Sequence, residues 1–234
     1  STGVGKSLAS LAAAHMVRPV MELGGYSPVI VCGDADPEAV AAAAARAAYR
    51  NAGQVCTSPT RFYVDASLYE RFVDALTRKV AALRIGNGLA DGTDVGPVRT
   101  PARLEAIEAL VNDAVKHGAE VTTGGRRGPG PGYFWEPTVL TGVNDECELA
   151  RVEPFGPVAW VSPFDDQEAA IRQANSVPFA LAGYLFTRDA AAVRQLSADL
   201  DCGAIAVNHW QVSGPETPFG GHRDSGFGSE GGTE

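Results

Sequence analysis

Along the chain, short apolar runs bounded by glycine and proline alternate with longer stretches whose apolar positions recur every three to four residues. PVIVCG (28–33) predicts a buried strand, and PEAVAAAAARAAYRNAG (37–53) predicts a helix with Pro37 in its first turn and Gly53 as its stop. RFYVD predicts a strand over 61–65, and strong helical periodicity follows over 68–83. The pattern continues with a helix over 103–117, short strands at AEVTTG (119–124) and PTVLTGV (137–143), and a strand at VAWVSPF (158–164). A helix over 167–175, a strand at AGYLFT (182–187), a helix over 190–200 and a strand at AIAVNH (204–209) complete the series. An alanine- and leucine-rich helix also fits 6–17. Such alternation implies an α/β layered fold on a largely parallel sheet flanked by helices. GGRRGPGPGYF (124–134) is expected as a flexible surface connection, and the glycine-rich tail 213–234 as an extension without a closing element.

Composition narrows the class. With 234 residues, 45% hydrophobic and 20% charged, the chain has enough apolar material for a sizeable core. A net charge of -9 disfavours nucleic acid and anionic membranes as partners, while a small neutral or anionic ligand drawn in by local dipoles stays compatible. The longest apolar stretch, near 40–48, is alanine-rich and broken by Arg46, so no membrane span is predicted; nothing reads as a signal peptide. Cys32, Cys56, Cys147 and Cys202 are scattered with no CxxC pair, which argues against a zinc site or disulfide framework and fits a reducing cytoplasm. His15, His117, His209 and His222 lack metal-ligand spacing, and no metal site is predicted.

Candidate chemistry begins with the opening STGVGKS, one glycine short of a phosphate-cradling G-x-x-x-x-G-K-[ST] loop. A triphosphatase would also need a magnesium-holding carboxylate, which Asp34 or Asp36 would supply; the plainer role for Asp36 is to cap the helix at Pro37. Alternatively, the same helix start faces any phosphate, including a dinucleotide's pyrophosphate. Further on, Glu22 in MELGGYSP sits between apolar residues, where partial desolvation raises a carboxyl pKa towards general-base duty. Cys56 in NAGQVCTSP follows a helix stop, where a thiol is approachable and neighbouring backbone donors favour the thiolate. The other three cysteines read as small buried hydrophobes.

ELGG, GQVC, EPFGPV (153–158) and PFGG (218–221), in this order, resemble the NAD(P)-dependent aldehyde dehydrogenase superfamily, and STGVGK fits that family's G-S-T-x-x-G segment. The resemblance runs from Ser1 to Glu234 and leans towards a succinate-semialdehyde-like branch. It implies aldehyde oxidation with NAD or NADP, with Cys56 as nucleophile forming a thiohemiacetal and then a thioester, and Glu22 activating the hydrolytic water. It further implies that Ser1, Thr2, Leu23, Gly24, Glu153 and Phe155 bind the dinucleotide, and that Trp210, Ser213 and Phe219 face a small aldehyde. Taken singly, Glu153 fits a solvated charge before a turn, Phe155 and Phe219 fit core aromatics, and Asn208 fits a structural hydrogen-bonder at a strand end. If the substrate is anionic, Arg61 and Arg103 are candidate partners, a surface role being the plainer one for each.

Compared with full members of that family, the resemblance implies a chain truncated at both ends. Residues 1–25 would close a dinucleotide-binding domain and 26–234 would form the catalytic domain, with a homo-oligomer expected of the full-length form. The region that carries an oxyanion-stabilising asparagine in the family is not found here. Loss of such a donor costs on the order of 100- to 1,000-fold in rate, so the isolated chain is expected to keep a modifiable Cys56 while oxidising aldehydes poorly or not at all. The competing readings are the triphosphatase, which does not need Cys56, and a non-catalytic remnant that folds and assembles without cofactor affinity.

Overall fold

A computed structural model describes residues 1–232; the last two residues of the expected glycine-rich tail lie outside the described residues. The chain runs α1 (Thr2–Ala14), β1 (Met21–Glu22), β2 (Ser27–Val31), α2 (Pro37–Tyr49), β3 (Pro59–Asp65), α3 (Tyr69–Ala81), α4 (Pro101–Lys116), β4 (Glu120–Thr123) and β5 (Thr138–Thr141). It continues through β6 (Val158–Phe164), α5 (Gln167–Ala174), β7 (Phe179–Ala180), β8 (Ala182–Phe186), α6 (Ala190–Asp199), β9 (Ala204–Val207), β10 (His222–Arg223) and β11 (Gly226–Phe227). Seven strands form one sheet in the order β4-β5-β6-β3-β2-β8-β9, parallel throughout except for the antiparallel β4–β5 edge. β2 and β8 are buried along their whole length, as continuous apolar runs in a sheet covered on both faces must be. No helix among the described residues is long and apolar enough to cross a membrane.

α2 shows how local sequence sets an element and where non-local contact takes over. Asp36 caps it, its carboxylate accepting from the Glu38 and Ala39 N–H groups at 3.1 Å, and Pro37 occupies the first turn. The helix predicted over 37–53 nevertheless stops at Tyr49. Arg50 leaves helical geometry, and Asn51, Ala52 and Gly53 take φ of 53°, 53° and 69°. Packing requires glycine at the end of this left-handed turn: a Cβ on Gly53 would overlap the carbonyl oxygen of Gly156. α1 starts at Thr2, earlier than the predicted 6–17, because the Gly5 N–H already bonds the Ser1 carbonyl at 2.9 Å; Met16, at φ 56°, has left the helix.

The tail departs most from expectation. It closes onto the body by two short antiparallel pairings, β10 on β7 and β11 on β1. The second pairing holds Glu22 opposite Gly226.

Candidate active site

Four chain segments converge around Gly24-Gly25. Leu23 N–H bonds the Ser225 carbonyl at 3.1 Å, and the Ser225 hydroxyl donates to the Gly24 carbonyl at 2.6 Å while accepting from Ala180 N–H at 3.0 Å. Ser225, fully buried, thus ties the ELGG segment to the tail and to β7. Gly25 has no room for a side chain, and Gly24 is tightly approached. A Cβ on Gly25 would overlap the carbonyl oxygen of Cys56, and one on Gly24 would stand 3.0 Å from Glu153 Oε2, 3.2 Å from the Phe179 ring and 3.7 Å from Thr2 Oγ1. α1 is seated on the same segment, with Gly5 against the Leu23 side chain; the Thr2 hydroxyl donates to the Asp224 carbonyl at 3.0 Å.

Three ionisable groups share this place. Glu22 is half-buried and its Oε1 is buried without a hydrogen-bond partner. Burial pushes its pKa up, Glu230 pushes it further, and the Gly221 N–H opposes them. Glu153 is pushed up to about 8, chiefly by burial, against the Gly25 N–H and the Arg103 guanidinium. Cys56 sits half-buried beyond the left-handed turn. Its pKa is raised by burial first and then by the negative charge of Glu22 and Glu153, against its own N–H and that of Thr57. The expectation of an easily ionised thiol is therefore corrected: backbone donors are present, but desolvation and two carboxyls outweigh them.

Phe155 takes φ 43° and lies under the Arg103 guanidinium at 5.8 Å, while Arg103 also bonds the Pro154 carbonyl at 3.2 Å. Arg61, expected at the surface or on a substrate, is instead 1% exposed. It donates to the carbonyls of Tyr26 and Ala174 at 2.9 Å and of Gln173 at 3.4 Å, and stacks on Tyr26. Cys202 is half-buried, less so than Cys32 and Cys147. Asn208 spans both backbone groups of Thr187 from a φ of 60°, the structural part expected of it.

The remaining candidates lie on other segments of the chain. Trp210 packs on Phe186 and Tyr184, with ring centroids 4.6 and 5.2 Å away, and with Ser213 lines a cleft of about 840 Å³ that reaches Val55 and Thr57, the neighbours of Cys56. Phe219 is half-buried and pairs through its backbone with Glu230. Sequence reasoning missed Glu230, Ser225, and the cleft residues Arg46, Arg50 and Tyr184. Only the helical spacing of Arg46 and Arg50 ahead of GQVC offered a signal for any of them.

A half-buried thiol and two carboxyls with raised pKa thus meet on glycine-turned segments at the strand ends of an α/β sheet. The chain belongs to the aldehyde dehydrogenase family, which it matches over residues 1–234. It is 47% identical, over its full length, to a putative 4-(hydroxymethyl)benzenesulfonate dehydrogenase of Comamonas testosteroni, covering 49% of that protein. It superimposes on succinate-semialdehyde dehydrogenase from Burkholderia pseudomallei with a TM-score of 0.96 and 38% identity, over 99% of this chain and 48% of that one. An NAD+ complex of aldehyde dehydrogenase from Bacillus cereus gives 0.95 and 34%, over 100% and 48%. The chain thus spans about half the length of the relatives it matches. The triphosphatase reading finds no support: Asp34 accepts from Arg188 N–H and the Thr187 hydroxyl, and Asp36 caps α2.

Proposed function

We propose that this chain forms the catalytic part of an enzyme that oxidises an aldehyde bearing an anionic group to the carboxylic acid. The observation that carries the reading is the meeting of the Cys56 backbone and the Glu153 carboxyl on Gly24-Gly25, the two residues that follow Glu22 and Leu23. Cys56 Sγ bonds the aldehyde carbon. Glu22, with an unpartnered oxygen and a raised pKa, takes a proton from the water that releases the acyl group from the sulfur. With no side chain at Gly24, its backbone stays open beside Glu153, Phe179 and Thr2, and that polar and aromatic lining fits a nicotinamide dinucleotide. Ser1, Thr2, Leu23, Gly24, Glu153 and Phe155 would hold it, and when bound it supplies the hydride acceptor, NAD or NADP.

Support for an anionic substrate comes from the cleft next to Cys56, which carries Arg46 and Arg50, and from the sulfonate and succinate named for two of the similar proteins. Trp210 and Ser213, which line it, would face the substrate there, and Phe219 is retained as a substrate contact from the tail. Within this reading residues 1–25 end a dinucleotide-binding unit and 26–234 form the catalytic unit, supported by β2 entering the large sheet at Ser27, two residues after Gly25. Free cysteines support a reducing compartment, the cytoplasm.

The test is capture of Cys56 by iodoacetamide in the presence of aldehydes. An anionic aldehyde is expected to protect Cys56 selectively over Cys32, Cys147 and Cys202; alkylation of Cys56 that is indifferent to any aldehyde rejects the reading.

A further inference from the structure

We infer that Tyr184 is a positioning residue for Cys56: its hydroxyl, bonded to the Thr57 carbonyl, holds the turn whose backbone N–H groups face the sulfur. The inference rests on the reading of Cys56 as the nucleophile and adds the side chain that keeps its surroundings fit for a thiolate.

Cys56 and Thr57 are the central residues of a tight turn, which the Ser58 N–H closes on the Val55 carbonyl at 2.9 Å. A peptide unit is planar, so each carbonyl in this turn fixes the N–H that shares its plane. The Cys56 N–H moves with the Val55 carbonyl, the Thr57 N–H with the Cys56 carbonyl, and the Ser58 N–H with the Thr57 carbonyl. Ser58 holds the first plane, and the second lies against Gly25, where even a Cβ would overlap the oxygen. The Tyr184 hydroxyl holds the third at 2.7 Å. Freed of it, the Ser58 N–H can swing away from Val55, and the Cys56 N–H then loses its direction. The N–H groups of Cys56 and Thr57 are the donors that oppose burial and the carboxyl charges at the thiol, so their alignment sets how readily it ionises.

The fold fixes the phenol for this part. Tyr184 sits in the middle of β8, in register with Val29 of β2 and Ala206 of β9, and is 1% exposed with its ring packed on Trp210. A side chain already locked by packing loses little further freedom in placing its hydroxyl. Burial pushes its pKa up to about 12, with Arg50, Cys56 and Cys202 the ionisable groups that face it, so the hydroxyl remains a donor at neutral and mildly alkaline pH. Around the thiol the ionisable groups are Glu22 and Glu153.

The experiment is the pH profile of iodoacetamide capture at Cys56, measured without aldehyde on the 234-residue chain, on Tyr184→Phe and on Tyr49→Phe. Tyr49 is the control, because its buried hydroxyl also bonds a backbone carbonyl at 2.7 Å, that of Thr138 on β5. Tyr184→Phe keeps the ring on Trp210 and is expected to move the profile up by about half to one pH unit, which is roughly threefold to tenfold slower capture at neutral pH, with the plateau at high pH retained. Hydrogen exchange at the Ser58 amide should quicken about tenfold in the same variant, while that of Val31 in β2 stays unchanged. Tyr49→Phe should lose stability to urea by a similar amount yet leave the Cys56 profile in place. A profile that does not move in Tyr184→Phe, or that moves equally in Tyr49→Phe, overturns the inference. Either result leaves Cys56 standing as the nucleophile, since no aldehyde is present; alkylation indifferent to every aldehyde would reject that reading and leave the profile to decide the role of Tyr184.

Discussion

Gly25 and Cys56 meet backbone to backbone: a Cβ on the glycine would occupy the place of the Cys56 carbonyl oxygen. A backbone atom has no rotamer by which to move aside, so Gly25→Ala must displace the turn that carries the thiol. It should cost about 1–3 kcal/mol of stability, the range of an overpacked core site, and abolish aldehyde protection of Cys56. Gly3→Ala is the control. Gly3 lies inside α1 with nothing within 4 Å of its Cβ position, so that change should be neutral or stabilise by roughly 0.5–1 kcal/mol. Urea titration of both variants, alongside alkylation, separates the two outcomes.

The charges around Cys56 predict opposite effects from one substitution. Glu22→Gln removes a negative charge that raises the thiol pKa, so iodoacetamide capture at neutral pH should speed up roughly threefold to tenfold, half to one pKa unit. Release of an acyl group from Cys56 should fall in the same variant, because the water loses its base. A variant that is slower in both assays would show that Glu22 acts only on local folding.

Glu153 predicts a pH dependence of stability. Its folded pKa, about 8, lies above its ordinary 4.5, so the folded state prefers the neutral acid. Its contribution is complete below 4.5 and is lost as pH rises towards 8. Glu153→Gln should therefore gain on the unaltered chain across that window, with urea midpoints diverging as pH increases. Midpoints that run parallel would mean the carboxyl is far better hydrated than its surroundings indicate.

Ser225 joins three segments through one hydroxyl. Ser225→Ala leaves the Ala180 N–H and loses the donor to Gly24, at about 1–3 kcal/mol for the stranded buried group. By loosening the tail it should also relieve the influence of Glu230 on Glu22, moving the Glu22 pKa down in a carboxyl NMR titration, as Glu230→Gln should do without the loss of stability.

What the sequence made legible follows from the range of the forces involved. β6 appears over 158–164 as predicted, because a continuous apolar run in a parallel sheet needs no outside information. The start of α2 was equally local, with Asp36 and Pro37 specifying it. Its end was not, since the left-handed turn at Asn51–Gly53 answers to Gly156, far along the chain. Two-residue strands such as β10 and β11 carry no periodicity to read. Cys56 and Glu22 stood out from their neighbours in sequence, whereas Ser225 acts on Gly24 across 201 residues and left no local trace.

Arg61 puts the same point to a quantitative test. As a strand residue with a cationic side chain it invited a surface or substrate role, yet β3 runs through the sheet interior and the guanidinium ends among the carbonyls of Tyr26, Gln173 and Ala174. Those at the end of α5 are the negative pole of that helix, which compensates a buried cation without any carboxylate. Arg61→Lys keeps the charge but loses the planar fork that reaches β2 and α5 together, and should cost about 3 kcal/mol, as when a buried charge loses its partners. Arg61→Met removes the charge and leaves the carbonyls unpaired, at about 1–3 kcal/mol each, so it should be no better tolerated. In whichever variant remains folded, protection of Cys56 by an anionic aldehyde should be unchanged. A selective loss of that protection with an unaltered urea midpoint would instead return Arg61 to the substrate.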